Sequence, residues 1–461
     1  MTELTQQTGP IELTRPAGPI ELTRPARPAE PAELTGPFQD GSTPTRRRPR
    51  RVLAFGTAVV VILGILLSAR VVWVTARPVD VKTQQQQVHY LQQVLAGGGA
   101  ERMQGVFSEG YVFTEALAGL AAGQRAQVGD QQALAAVHRS LVAVDSPAGL
   151  APFTAWMQPP HGVFWSGWSL LLAVEQARLS GIKADRLAVR QRAGVIRDAL
   201  RTSDDGWLES YPGQFWPVDT VVAVAALARA DRLVGVPNSE KVIAGWESRT
   251  EKSRDPKTGL LPHQVAADGS AVQGPRGSSQ ALVLAFEPDI DPAQAAKDYR
   301  AFVATFVQRR LGLLGVREFP AGTPGAADED SGPLLFGISL SASAVALAAA
   351  DRQHDTRLTQ ALNAQAELLA LPVTVQGGRR YGAGLLPVGD AFLAWARAQP
   401  TGSQPVGPTA GPRPLWPLWI GLPWFPGLLV LLIRRRGPAM NKESDNQGLR
   451  KKSPELVSAG R

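Results

Sequence analysis

Residues 214–227 read QFWPVDTVVAVAAL, and this stretch decides the fold. An aromatic loop with Pro217 and one acid, Asp219, runs into an uncharged series of Val, Ala and Leu. Proline suits the first position of a helix, and a helix that is apolar all round is buried. The same junction recurs along the chain: YVFTEALAGLA (111–121), HGVFWSGWSLLLAV (161–174), PRGSSQALVLAF (275–286), EDSGPLLFGISLSASAVALAAA (329–350) and GLLPVGDAFLAWA (384–396). Measured from Phe113, Trp165, Val218, Ser279, Leu335 and Gly389, the steps are 52, 53, 61, 56 and 54 residues. That period fits two helices and two loops. Six hairpins predict an all-α ring with its polar residues gathered at one mouth.

The segments between the junctions are more charged: Val81–Ala96, Asp130–Val144, Lys183–Arg201, Ser239–Arg254, Pro292–Leu311 and Thr356–Leu371. Within 188–201, bases alternate with Ala, Val, Ile and Leu at three- and four-residue steps, the pattern of an amphipathic helix. Inner helices from the junctions and outer helices from these segments predict two concentric layers. Short hairpins are expected at Gln264–Gln273 and Pro372–Arg380, and a helix beginning near Pro333, capped by Asp330 or Ser331.

The chain has 461 residues, 44% of them apolar, enough for a sizeable core. It has no cysteine, which excludes disulfides, thiol nucleophiles and thiolate metal sites. Five histidines in no ligand spacing argue against a zinc site, so neither metal nor cofactor is expected. The net charge of +8 is concentrated at the ends: residues 1–51 carry eight Arg against six acids, and residues 434–461 eight bases against three. The middle has no basic stripe for reading phosphates, so nucleic acid is not an expected partner.

Val52–Ala69 is uncharged and follows Arg46, Arg47, Arg48, Arg50 and Arg51. About 20 apolar residues span a bilayer, so a transmembrane helix is expected over 52–74. A second is expected over 415–433, closed by Arg434, Arg435 and Arg436 and opened by a belt of Trp416, Trp419 and Trp424. Both Arg clusters place the termini in the cytoplasm and the middle in the periplasm or outside the cell. The expected organisation is a disordered Pro-rich tail at 1–51 with the repeat GPIELTRPA, a helical ring at 80–399, a Pro/Gly linker at 400–414 and a basic tail at 434–461. The lipid bilayer is thus the expected partner; any cytoplasmic partner of the tail is unspecified.

The period and layering resemble the (α/α)6 toroid of six-hairpin glycosidases, some polysaccharide lyases and terpenoid-processing enzymes. The stretches 211–220 (YPGQFWPVDT), 258–262 (TGLLP), 275–281 (PRGSSQA) and 328–333 (DEDSGP) most resemble the bacterial linalool dehydratase/isomerase-like group, over roughly residues 100–395. That resemblance implies the toroid fold and a terpenoid-like alcohol as substrate. The chemistry of that group involves a site cysteine, and this chain has none.

Inner helices that start at one face aim their N-termini at the mouth, where the dipole favours polar ligand groups. Asp219, Asp328 and Asp330 are the candidate catalytic acids and bases, and adjacent acids raise one another's pKa. Arg276 is placed to meet a substrate carboxylate or Asp330, beside Ser278. Trp165, Tyr211, Gln214 and Trp216 suit substrate stacking and hydrogen bonding, and His263 is the best-placed histidine. Helix-terminal stabilisation explains Asp219 equally well, and core packing explains the aromatics; Glu115 and Asp390 mark the first and sixth junctions. Three functions fit: carboxylate acid/base chemistry on a glycan-like polymer, dehydration, isomerisation or lyase chemistry on a terpenoid-like alcohol, or a non-catalytic binding module of the cell envelope.

Overall fold

The computed structural model describes residues 48–328, 330–400 and 411–436. Most of the N-terminal tail, most of the linker, the C-terminal tail beyond Arg436 and Glu329 lie outside the described residues. The chain divides into two units at Ala54/Phe55, within the first helix, and the packing below is that of the second. The structure is predominantly α-helical.

Helix α1 (Arg48–Ala76) leads in, and α2 (Val81–Ala96) and the short α3 (Gly99–Gln104) follow. Then come α4 (Gly110–Gly123), α5 (Gln131–Val144), the single turn α6 (Pro147–Leu150), α7 (Gly162–Ser180), α8 (Lys183–Thr202), α9 (Pro217–Val234) and α10 (Ser239–Thr250). The hairpin β1 (Gln264–Val265) and β2 (Ala271–Gln273) precedes α11 (Gly277–Phe286) and α12 (Pro292–Phe306). A four-stranded antiparallel sheet follows, from β3 (Val307–Arg310), β4 (Leu313–Arg317), β5 (Leu334–Leu335) and β6 (Ile338–Ser339), in the order β3-β4-β6-β5. Last come α13 (Leu340–Arg352), α14 (Thr356–Leu369), the hairpin β7 (Val373–Val375) and β8 (Gly378–Arg380), α15 (Pro387–Ala398), α16 (Trp416–Gly421) and α17 (Phe425–Arg436).

The six junctions lead into α4, α7, α9, α11, α13 and α15. These helices pack in sequence, each on the next, and α15 packs on α4. Their side chains supply most of one continuous core, with Trp168, Phe286 and Trp395 fully buried where the helices converge. Trp395 stacks on Phe286 at 5.5 Å and Trp168 meets both edge-on, the geometry aromatic quadrupoles favour. The charged helices lie against this set: α5 on α4 and α7, α8 on α7 and α9, α12 on α11, α14 on α13. In α8 the buried residues are Val189, Ala193, Ile196, Ala199 and Leu200, the three- and four-residue stripe read from sequence.

Helix starts follow the sequence in most places. Asp130, Asp291 and Asp355 accept backbone N–H bonds at the starts of α5, α12 and α14, as N-caps do. Two expected spans change. The helix expected over 292–311 ends at Phe306, because Val307–Arg310 turns back through Leu311 and Gly312, both at positive φ, to pair with β4. The helix expected near Pro333 begins at Leu340 instead. Residues 334–339 first form the β5–β6 hairpin around Phe336 and Gly337, and Ser339, not Asp330 or Ser331, caps α13 through Ala342 N–H. The hairpins expected over 264–273 and 372–380 are present.

Phe55–Ala76 is, among the described residues, the one helix long and apolar enough to cross a membrane, by length and composition. The run over 415–433 is divided at its prolines into α16, a 3-10 turn at Leu422–Trp424, and α17. It packs against α1: Ser68 Oγ donates to the Ile420 carbonyl at 2.7 Å and Trp424 Nε1 donates to Ser68 Oγ at 2.9 Å. Gly64 faces the Trp424 ring, where a Cβ would stand 3.4 Å from it.

Candidate functional site

The loops before α4, α9, α11 and β5 meet around a recess of about 570 Å³. Glu109, Trp216, His263, Gln273, Arg276, Asp328 and Asp330 line it, with Val106, Phe107, Ser108 and Gln264. The arrangement depends on the start of α11. A Cβ on Gly277 would fall 1.9 Å from the Arg317 carbonyl, so only glycine lets α11 begin against the end of β4. That contact places Arg276 between Glu318, which follows β4, and Asp328.

Arg276 is buried and anchors the cluster. Its Nε donates to Glu318 Oε1 at 2.7 Å, and its two terminal nitrogens grip Asp328 at 2.6 and 2.7 Å. A bidentate fork on a carboxylate is the strongest such pairing. Burial pushes the Asp328 carboxyl up, but the Arg276 bonds and the Ser331 N–H outweigh it and hold it at about 2. Glu318 has no exposed surface and also accepts from Ser278 Oγ at 2.7 Å.

His263 is held through both ring nitrogens. Arg276 can only donate, so its contact at 3.3 Å makes His263 Nε2 the acceptor. The proton is therefore assigned to Nδ1, which donates to Ser279 Oγ at 2.5 Å. Burial, then the Arg276 charge, lower this imidazole to about 4, so it is neutral. Its Nε2 also faces Asp330 Oδ2 at 3.6 Å.

Asp330 and Asp219 lack a cationic partner of this quality. The Asp330 side chain keeps 58% of its surface open to the recess, yet the surrounding protein strips much of its water. That desolvation, with the Asp328, Glu109 and Glu318 charges, raises it to about 6 despite Arg276. Asp219 stands in the first turn of α9, beside the recess rather than among its lining residues. Ser210 Oγ donates to its Oδ2 at 2.6 Å. Burial, with the Glu109 and Asp330 charges, outweighs that bond and raises Asp219 to about 8.

Of the candidates read from sequence, Trp216, His263, Arg276, Asp328 and Asp330 line the recess, and Asp219 adjoins it. Tyr211 reaches the rim, donating to Glu109 Oε1 at 2.6 Å and stacking on Phe153. Burial and Glu109 raise its phenol well above the usual range. Three candidates stand elsewhere. Trp165 points its Nε1 at the Val144 carbonyl, 3.0 Å away, and packs edge-on to His161. Gln214 is exposed in the turn after Tyr211, and Ser278 is occupied by Glu318. Asp328 is not a free acid or base but the partner of Arg276. Glu115 and Asp390 are buried away from the recess: Glu115 accepts from Ser140 Oγ, Asp390 from Tyr381 N–H, and burial raises both to about 7.

Glu109 and Glu318 are not among the candidates that the sequence singles out. Glu109 immediately precedes α4 in FSEGYVF, and Glu318 follows the apolar run LGLLGV after Arg317. Glu109 stands at the start of an apolar helix, where the dipole favours an acid. No protein-family model matches the chain, and no curated protein matches it.

Proposed function

We propose that the chain forms an (α/α)6 toroid and that its recess carries carboxylate acid/base chemistry on a hydroxyl-rich, glycan-like substrate. The cyclic packing of α4, α7, α9, α11, α13 and α15 supports the toroid. The membrane arrangement belongs to the same proposal: α1 and the α16–α17 segment span the cytoplasmic membrane with both ends inside, and the toroid stands outside.

One observation carries the chemistry. Two interacting carboxyls at one mouth differ in protonation at neutral pH, Asp219 near 8 and Asp330 near 6. Environments that push two carboxyls apart assign the acid and the base. In an inverting hydrolysis, ionised Asp330 takes a proton from water as the water oxygen bonds to the anomeric carbon. The glycosidic C–O bond breaks, and the Asp219 proton goes to the leaving oxygen. Trp216 offers a face for a sugar ring, and Arg276 fixes Asp328 away from the reaction. The charged lining favours a hydroxylated substrate over an apolar terpenoid, which needs a dry cavity.

Reducing-sugar release from a panel of cell-wall and capsular glycans tests this. The full-length protein should hydrolyse one of them, and Asp219→Asn and Asp330→Asn should each lower turnover by about 10²–10⁴-fold. Retained turnover in both variants, with unchanged folding, would sink the proposal.

A further inference from the structure

Two segments fix which end of the helix set faces the apolar spans. Arg70 Nη2 donates to the Glu367 carbonyl, in the last turn of α14, at 2.6 Å. Farther along, Val74–Val79 share a cavity of about 360 Å³ with Thr356 and Thr359, at the start of α14. Helix α1 therefore runs antiparallel to α14, and Phe55–Ala69 projects past the end where α14 finishes. The second segment leads the same way. Arg357 holds the Gly411 carbonyl at 2.7 Å, and Leu415 N–H bonds to the Gly312 carbonyl at 2.7 Å. Trp419 Nε1 then bonds to the Leu311 carbonyl at 2.9 Å, beyond which α16 and α17 run back along α1.

Outer helices such as α14 finish where inner helices begin, and that is the recess end. Exposed apolar side chains stand in its loops: Val106, Val272, Phe336, Leu385 and Leu386, with Leu311 at the β3–β4 tip. Phe336 and Leu385 are 74% and 79% exposed. Single exposed aliphatics need no explanation. A set at one end of the molecule, beside one bilayer-length apolar helix and the divided apolar segment packed on it, and next to Arg309 and Arg310, matches an interfacial surface.

We infer that the recess end of the protein is seated on the lipid headgroup layer, and that the recess draws its ligand from that layer, a membrane-borne amphiphile with a hydroxyl-rich head. The seating stands without the acid/base proposal; the nature of the head rests on it.

The absence of cysteine lets one introduced thiol report one place. Full-length protein carrying Phe336→Cys, Leu385→Cys, Gln273→Cys or, at the opposite end between α7 and α8, Ile182→Cys is labelled with an environment-sensitive fluorophore. Each variant, selected for a wild-type thermal melt, is placed in phosphatidylcholine/phosphatidylglycerol nanodiscs containing a headgroup-nitroxide lipid. Quenching at 336, 385 and 273 is expected to exceed that at 182 several-fold. Equal quenching at 336, 385 and 182 overturns the seating. Quenching at 336 and 385 with position 273 behaving like 182 means that the recess opens to water, and overturns the lipid-borne ligand. None of the labelled positions is Asp219 or Asp330, so a failure of the acid/base chemistry leaves these readings unchanged.

Discussion

Asp289, where α11 gives way to α12, is held by Arg229, Arg232 and Arg352 at 2.6–2.9 Å. At the opposite end of the same helices, Asp219 and Asp330 share a neighbourhood with Glu109, Asp328 and Glu318, and one arginine, Arg276, serves the group. Burial pushes Asp289, Asp219, Asp328 and Asp330 up. At Asp289 the three guanidinium groups outweigh burial and the carboxyl is lowered. At the recess, Arg276 spends its fork on Asp328 and its Nε on Glu318, so Asp219 and Asp330 stay raised. At one end arginine pairing holds the acid ionised; at the other Asp219 and Asp330, without such a partner, keep raised values. Groups of the second kind are the ones that can exchange protons near neutral pH.

The largest test of this contrast is kinetic. Turnover should follow a bell, rising as the Asp219/Asp330 pair loses its first proton near pH 6 and falling as it loses the second near pH 8. Asp219→Asn should cost about 10²–10⁴-fold, the usual contribution of a positioned acid, whereas Asp289→Asn should leave the profile in place. A profile that keeps its alkaline limb in Asp219→Asn would assign that limb to another group.

Next in size is Arg276→Ala, which leaves Glu318 buried with the Ser278 bonds but without its cation. Breaking a buried pair costs about 3–5 kcal/mol, readable as a lower urea midpoint. Glu318→Gln in the same background should recover part of the loss. Asp289→Ala should cost somewhat less, about 2–4 kcal/mol, because Arg232 is partly exposed and can turn to solvent. A cost below about 0.5 kcal/mol would show that the paired end is an ordinary surface network.

The smallest effect has a defined sign. The folded pKa of Asp219 lies above its unfolded value, so the folded state binds the extra proton between about pH 4 and 8. The associated stability is complete below about pH 4 and is lost as pH rises through 8. Asp219→Asn should therefore match wild type at pH 4 and melt higher at pH 8.5, by roughly 2–4 °C per kcal/mol relieved. Calorimetry at the two pH values checks this. A lower melting temperature at both would mean that the carboxylate itself supports α9.

The helical layers were legible because their cause is local. The uncharged runs after Asp219 and before Phe286, and the stripe in α8, record burial in composition and period. The β3–β6 sheet was not legible. Val307–Val316 pairs across a two-residue turn whose backbone is set at Leu311 and Gly312, and the segment is too short to outweigh the helical pattern before it. The recess was half legible. Arg276 and Asp330 stand in the junction loops and Asp219 in the first turn of α9, where helix N-termini collect. Trp165 stands at an equivalent junction, in the first turn of α7, but turns to Val144, and nothing in its neighbours along the chain distinguishes it from Trp216.

Asp328 and Asp330 mark the boundary between the two kinds of knowledge. They are two residues apart in one acidic loop, and the sequence alone gives them equal standing. In the fold one is held at about 2 and the other raised to about 6. The sequence by itself determined the six-fold period, the buried and half-buried helices, the bilayer-length apolar runs and the absence of thiol chemistry, because each follows from composition within a few turns of helix. Only the tertiary structure decided which aspartate Arg276 takes, because that arginine stands 52 residues away and comes within reach only where Gly277 lets α11 close against β4.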